Sequence, residues 1–263
     1  MTDRADYGID APGVIRNLAV CGGASLLVAV LALTGVLPGE LTLTPAQDIR
    51  IGFPLVPMGL SAGLSLVATA CWMYFGARYG KVAERDKLLD QLDWKGDERV
   101  LDVGCGRGLI LVGAARRLKT GSAVGVDIWN AQDLSGNRAD VPLRNAALEG
   151  VAERVSVKTA DMRTLPFPDG HFDVVVSRAA IHNLDSADAR KAAIREIARV
   201  LAPGGRALIV DIRHHGEYAA GFAAQGCEPR RLDSPFASAL VTLGTMGSLR
   251  PHTLLARKAA PAA

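Results

Sequence analysis

The residues best placed to do chemistry stand in one run, Val100-Leu101-Asp102-Val103-Gly104-Cys105-Gly106-Arg107-Gly108. An apolar strand carrying one carboxylate runs into three glycines spaced G-x-G-x-G. Such glycines let the backbone turn tightly and approach a ligand at a helix N-terminus. The dinucleotide fingerprint would need glycine at 109, where Leu109 stands, which argues against a nicotinamide oxidoreductase. Cys105 has no His or Lys beside it in sequence and reads as a small packed residue rather than a nucleophile. Two further carboxylates, Asp127 and Asp161, follow later apolar runs. Taken singly, the glycines are also structural turns, Asp127 a solvated strand end and Asp161 a helix cap.

These residues need elements to bring them together. From Val82 onward, helix and strand patterns alternate. Helices are expected at Val82–Leu92, Leu109–Leu118, Val141–Glu149 (ending at Gly150), Asp188–Leu201 (stopped by Pro203-Gly204-Gly205) and Glu217–Ala224. Strands are expected at Arg99–Val103, Ala123–Asp127, Val155–Thr159, Phe172–Ser177 and Arg206–Asp211, with weaker candidates at Glu228–Leu232 and Thr253–Arg257. This alternation implies an α/β fold with a parallel, doubly wound sheet, whose ligands bind at the carboxyl ends of the strands.

The motifs in their order resemble the class I S-adenosylmethionine (SAM)-dependent methyltransferase family, over roughly Val82 to Lys258. The resemblance implies a Rossmann-like, mostly parallel seven-stranded sheet and SAM as cofactor. It assigns Asp102, Gly104, Cys105, Gly106 and Gly108 to the cofactor loop, and Asp127, 19 residues after Gly108, to the ribose hydroxyls. Ile128 would pack on the adenine face. Asp161 would accept from the exocyclic amine, and the Met162 backbone would meet the ring edge. Leu165-Pro166-Phe167-Pro168-Asp169 leads into Phe172–Ser177, which resembles the family's fourth strand, and Ser177 is counted with the cofactor contacts. Arg199-Val200-Leu201-Ala202-Pro203-Gly204-Gly205 resembles the turn into its fifth strand.

Methyl transfer is an in-line displacement at a carbon that is already electrophilic, so no metal is called for. The protein must align the acceptor and handle its proton. Candidates beyond the fourth and fifth strands are Arg178, His182, Asn183, Asp211, His214, His215 and Glu217. His182 is the leading candidate base, with Asp211 beside it on the list, because imidazole ordinarily titrates near ~6.5. His182 also reads as a helix-end or packing histidine, and His214-His215 lacks further metal-ligand spacing. Ser177-Arg178-Ala179-Ala180 stands where relatives that methylate nucleobase or amide nitrogens carry Asn/Asp-Pro-Pro-Tyr/Phe, which disfavours such substrates. The domain most resembles the small-molecule branch, including quinone-type C-methyltransferases. A SAM-binding sensor or scaffold without turnover is the alternative from another class.

The 263 residues are 22% charged and 49% apolar, near the norm for a folded protein. The charge is unevenly spread: Met1–Ala77 holds three of the 30 Lys/Arg and five of the 27 Asp/Glu. Leu18–Leu37 and Ile51–Ala77 carry no charge over 20 and 27 residues, and Pro54 and Pro57 near the start of the second leave Met58–Ala77 as its better-formed helix. Each is long enough to cross a bilayer core, where one charge costs roughly 2.5–3.5 kcal/mol. Residues 1–77 are thus expected to form a transmembrane helical hairpin. Ala19 and Gly23 in one span and Gly59 and Gly63 in the other would allow close packing and homo-oligomers through the hairpin. Residues 78–258 would be the methyltransferase domain and 259–263 a disordered tail.

Arg4 and Arg16 precede the first span, Arg50 alone lies in the short polar loop, and Arg78, Lys81, Arg85 and Lys87 follow the second. That bias puts both termini in the cytoplasm, with the chain in the cytoplasmic membrane among its lipids. The tether favours a small lipophilic acceptor such as a lipid, quinone or isoprenoid, because it holds the domain at a high local concentration of one. The competing reading is a soluble acceptor with the hairpin serving only to localise the enzyme. No basic run marks a nucleic-acid surface. The four isolated cysteines, Cys21, Cys71, Cys105 and Cys227, lack metal spacing and fit a reducing compartment.

Overall fold

A computed structural model describes residues 4–9, 11–46, 49–130, 136–232 and 252–260. The chain divides into two compact units: Gly8–Lys81 forms one, and the chain up to Tyr7 together with the chain from Val82 forms the other.

In the first unit, α1 (Pro12–Leu33) opens with Pro at its first position, where the missing N–H leaves no hydrogen bond unmade. A β-hairpin follows, β1 (Glu40–Ala46) against β2 (Ile49–Pro54), with Leu41 opposite Phe53 and Leu43 opposite Ile51. Then come α2 (Leu55–Phe75) and a π-helical turn at Gly76–Gly80. The boundaries differ from the expected spans. The first helix starts and ends earlier, and Ile51–Pro54 is strand rather than helix. The alternating apolar residues Leu41, Leu43, Ile51 and Phe53 suit a two-residue period, and Pro54 confines the second helix to Leu55 onward.

The helices meet where side chains are smallest. A Cβ on Gly59 would lie 2.7 Å from Ser25 O, and one on Gly63 would lie 2.6 Å from Leu26 Cγ. On α1 the contact falls on Gly22 and Ala29, not on Ala19 and Gly23, which are exposed. Gly22 and Ala29 are two turns apart and share the face turned to α2, whereas Ala19 and Gly23 lie off it. Ser25 and Thr69 hydroxyls bond the carbonyls of Cys21 and Ser65 one turn back, so they present no unmet polar group. Both helices are long and apolar enough to cross a membrane.

The second unit is built on a seven-stranded sheet. In chain order it comprises α3 (Lys81–Leu89), β3 (Arg99–Val103), α4 (Leu109–Ala115), β4 (Ser122–Asp127), α5 (Asp140–Leu148), β5 (Val155–Thr159), β6 (Phe172–Arg178), α6 (Ala187–Val200), β7 (Leu201–Asp211), α7 (His215–Ala224), β8 (Cys227–Arg231) and β9 (His252–Lys258). The strand order is β5-β4-β3-β6-β7-β9-β8. The first five strands are parallel, and β9 is antiparallel to both neighbours. The chain reverses its direction of growth between β3 and β6, the switch point where open α/β sheets bind ligands.

Near-continuous apolar strands follow from covering both faces. Leu101, Val103, Val175 and Ile209 pack with Ile194 and Ile197 of α6 and Phe222 of α7. Their neighbours Val100, Val174, Val176 and Leu208 point the other way, onto Leu111, Val112 and Ala115 of α4. Pro203-Gly204-Gly205 departs from its expected role. It does not separate helix from strand but lies within β7, where the register slips between Phe172↔Leu201 and Val174↔Arg206. Leu201 is already extended, so α6 stops before the proline is reached. Of the expected tail, 261–263 lie outside the described residues, as do 233–251.

Candidate active site

The carboxyl ends of β3, β4, β5, β6 and β7 carry the predicted groups, so the sheet gathers them at one edge. After β3 the amides of Gly104 and Cys105 both donate to Val126 O, at 2.8 and 3.1 Å, folding the loop over β4. Gly104 and Gly108 have φ of +74° and +83°. A Cβ on the first would come within 2.3 Å of Ala180 Cβ, and one on the second within 2.7 Å of Pro142 Cβ. Glycine is required there by conformation and by space. Cys105 is buried beside Gly125, and burial, with the Asp102 and Asp127 charges, pushes its thiol well up. That protonated thiol is packing, as its sequence context implied.

Asp102 is 1% exposed, and neither carboxylate oxygen has a hydrogen-bond partner of ordinary geometry among the described residues. Burial raises its pKa to about 8, with the Asp127 charge adding; the Leu111 amide is the one group favouring the anion. Such a carboxyl is costly unless a cationic ligand answers it.

Asp127 ends β4. Its Oδ2 accepts from Gly106 N at 2.9 Å, and its Oδ1 from Trp129 N at 2.7 Å and Asn137 Nδ2 at 3.1 Å. Ile128 is 58% exposed, an apolar side chain with an open face. Trp129 adopts φ +60°, uncommon for a bulky residue, and its indole donates to Thr159 Oγ1 at 2.8 Å. At the end of β5, Asp161 accepts a forked pair from Arg163 as well as its amide, and this holds the carboxyl below its usual range. Met162 lies against the space beside Gly104. Ser177 is buried and donates to Val103 O at 2.8 Å, tying β6 to β3.

The structure joins His182 to Asp211. Beyond β6, Ala179 takes φ +52° and its amide donates to Val210 O, turning the chain into the short helix Ile181–Asn183. Buried Ile181 anchors that turn. His182 Nδ1 then lies 2.5 Å from Asp211 Oδ1 at the end of β7. Buried Asp211 accepts also from the amides of His182 and Ile212 and from Tyr218 OH. Donating Nδ1–H to this carboxylate fixes the tautomer that leaves Nε2 as an acceptor.

The remaining candidates are held elsewhere. Glu217 pairs with Arg190 and His214, and Arg178 with Glu84. No metal-holding cluster occurs among the described residues. Trp129, Asn137 and Tyr218 were missed by sequence reasoning. Tyr218, one turn beyond His214, is the one that helix spacing offered.

Residues 101–209 match the family described as "Methyltransferase domain". Methyltransferase GfsG of Streptomyces halstedii is 38% identical over 128 residues, 48% of this chain and 42% of its own length. The ubiquinone/menaquinone biosynthesis C-methyltransferase UbiE of Pseudomonas putida is 38% identical over 115 residues, 43% of this chain and 41% of its own. The chain thus spans less than half the length of these curated relatives. Geranyl diphosphate C-methyltransferase from Streptomyces coelicolor A3(2), solved with Mg2+, geranyl diphosphate and S-adenosyl-L-homocysteine, superposes with a TM-score of 0.56 at 19% identity, covering 74% of this chain and 84% of that one. It shares the fold. The glycine cradle and the buried Asp102 fit a cationic nucleoside, and with these matches they mark residues 101–209 as a SAM-dependent methyltransferase domain, with SAM as its cofactor, on a sheet of Rossmann-like fold.

Proposed function

We propose that this protein is a membrane-anchored methyltransferase acting on a small lipophilic acceptor, with His182 as the base and Asp211 as the group that orients it. The observation that carries the reading is the His182–Asp211 pair at the strand ends, one short turn from the Ala180 that closes over Gly104. SAM, when bound, supplies a methyl group on a sulfonium. Asp211, fixed by four donors, keeps imidazole Nδ1 protonated and Nε2 ready to take a proton from an acceptor hydroxyl or acidic C–H. Asp127 takes the ribose, Ile128 packs on the adenine face, the Met162 backbone meets the ring edge, and Asp161 meets its amine with oxygens shared with Arg163. Asp102, once ionised, balances the cofactor's positive charge.

The two apolar helices support the anchor. Arg4, Arg16, Arg78 and Lys81 support a cytoplasmic N-terminus and catalytic domain. Full-length protein in bilayers, given isotopically labelled SAM and a lipid extract, is expected to label a lipophilic product detectable by mass spectrometry. His182→Ala should lower kcat about 10²–10⁴-fold while leaving S-adenosylhomocysteine affinity unchanged. Methylation of water-soluble metabolites alone, with no gain from bilayers, would overturn the lipophilic assignment. Full activity in His182→Ala would overturn the base.

A further inference from the structure

Asp127 is too heavily engaged to hold a ribose by itself. A carboxylate offers about four lone-pair positions. Three are taken, by the amides of Gly106 and Trp129 and by the Asn137 side chain. One is left, and a ribose presents two vicinal hydroxyls. The second acceptor stands next door. Asn137 is 6% exposed, and its Oδ1 is buried with no hydrogen-bond donor among the described residues. The amide cannot be turned round, because Oδ1 would then face the Asp127 carboxylate, acceptor against acceptor. The contact that uses Nδ2 therefore holds an unanswered carbonyl beside the ribose residue.

We propose that Asn137 is the second ribose-binding residue, with the two hydroxyls divided between Asp127 and Asn137 Oδ1. This rests on the assignment of Asp127 to the ribose. It explains why a buried amide keeps one unmet acceptor, since leaving such a group unpaired is costly and a bound hydroxyl would satisfy it. It also gives the turn after Gly136 a purpose. That glycine has φ +67°, and a Cβ on it would come 3.2 Å from Arg107 Nη1, so the turn folds back upon the cofactor loop.

The test is calorimetric titration of the full-length protein with S-adenosylhomocysteine and with its 2′-deoxy and 3′-deoxy forms. Wild type is expected to lose about tenfold on removal of either hydroxyl. Asn137→Ala should lose about tenfold for the parent nucleoside, yet bind one of the two deoxy compounds within about twofold of wild type. Asp127→Ala should become insensitive to the other hydroxyl. An Asn137→Ala protein weakened equally toward all three ligands would show a merely structural residue and overturn the proposal, as would unchanged affinity. Should Asn137→Ala fail to fold, Asn137→Ser keeps a hydroxyl that can donate to Asp127 and carries the same comparison. Wild-type affinity in Asp127→Ala would instead bring down the ribose assignment on which the proposal stands.

Discussion

The two units bury opposite kinds of residue. In the Gly8–Lys81 unit the buried helix positions are Gly22, Ala29, Ala32, Gly59, Gly63 and Ala70, while Val20, Leu27, Leu33, Leu64, Trp72 and Phe75 are exposed. In the α/β unit Leu101, Phe172, Ile194 and Phe222 are buried. In water, burying a large apolar side chain stabilises by roughly 1.5–3 kcal/mol. In an apolar surrounding that gain vanishes, and helices associate through close backbone approach instead. The α/β unit also buries ionisable groups: Arg85 is answered by Asp86 and Glu149, and Asp211 by four donors, but Asp102, among the described residues, only by the Leu111 amide and with no hydrogen bond of ordinary geometry.

That exception gives the largest expected effect. The folded pKa of Asp102, about 8, lies above its ordinary value of 3.8. Between those values the folded state holds a proton that the unfolded chain releases, so rising pH favours unfolding. The cost is absent below pH ~4 and approaches about 5 kcal/mol by pH 8, at order-of-magnitude level. Asp102→Asn removes the titration. Chemical denaturation should show the variant gaining stability over wild type from pH 4 to 8, with weaker S-adenosylhomocysteine binding. Parallel pH profiles for the two proteins would mean that Asp102 is solvated.

A matched pair of truncations tests the contrast directly. Ile194, 1% exposed against the sheet, should cost about 2–5 kcal/mol when cut to Ala. Leu64, 61% exposed on α2, should cost under about 0.5 kcal/mol in detergent. Equal losses would place the large residues of α2 in a core that the structure does not have.

Much of this was legible in the sequence. Strand-helix alternation and the glycine run located the sheet, its switch point and the Asp102–Gly108 loop, because those patterns are set by local periodicity and turn conformation. His182 and Asp211 were both named, but their pairing was not. It depends on the Ala179 turn and on the register of β6 against β7, both tertiary. Asn137 was invisible, since nothing in Ser135-Gly136-Asn137 says which carboxylate it reaches. The β-hairpin at 40–54 is hard to read from sequence, because the uncharged length from Ile51 overshadows its two-residue alternation.

Small residues at the helix crossing give the next effect. Gly63→Leu would drive a side chain into Leu26 and should cost about 1–3 kcal/mol by thermal unfolding in detergent. Gly23→Ala, with nothing within 4 Å of its added Cβ, should be neutral or gain up to about 1 kcal/mol in helix propensity. Equivalent behaviour would show that α1 and α2 are not packed through their glycines.

The smallest effect concerns four residues that cross the division. Arg4–Tyr7 precede the first apolar helix yet belong with the α/β unit. Asn145 Nδ2 donates to Asp6 O at 2.9 Å, and Arg107 of the glycine loop donates from Nε to the same carbonyl at 3.1 Å. Tyr7 OH reaches Glu149, beside buried Arg85. Because the Asp6 carboxylate is half exposed, its ion pair with Arg107 is worth under about 1 kcal/mol, and Asp6→Ala should lower stability by no more. The geometric consequence is larger than the energetic one. A chain that leaves the α/β unit at Tyr7 and rejoins it at Val82 must cross any membrane between them an even number of times. Cysteines introduced as Arg4→Cys and Lys95→Cys, with Cys21 and Cys71 replaced, should react with an impermeant maleimide only after cells are opened. Thr42→Cys, in the β-hairpin, should react in intact cells. Labelling of position 4 from outside would detach Arg4–Tyr7 from the α/β unit and overturn the two-span reading of the Gly8–Lys81 unit.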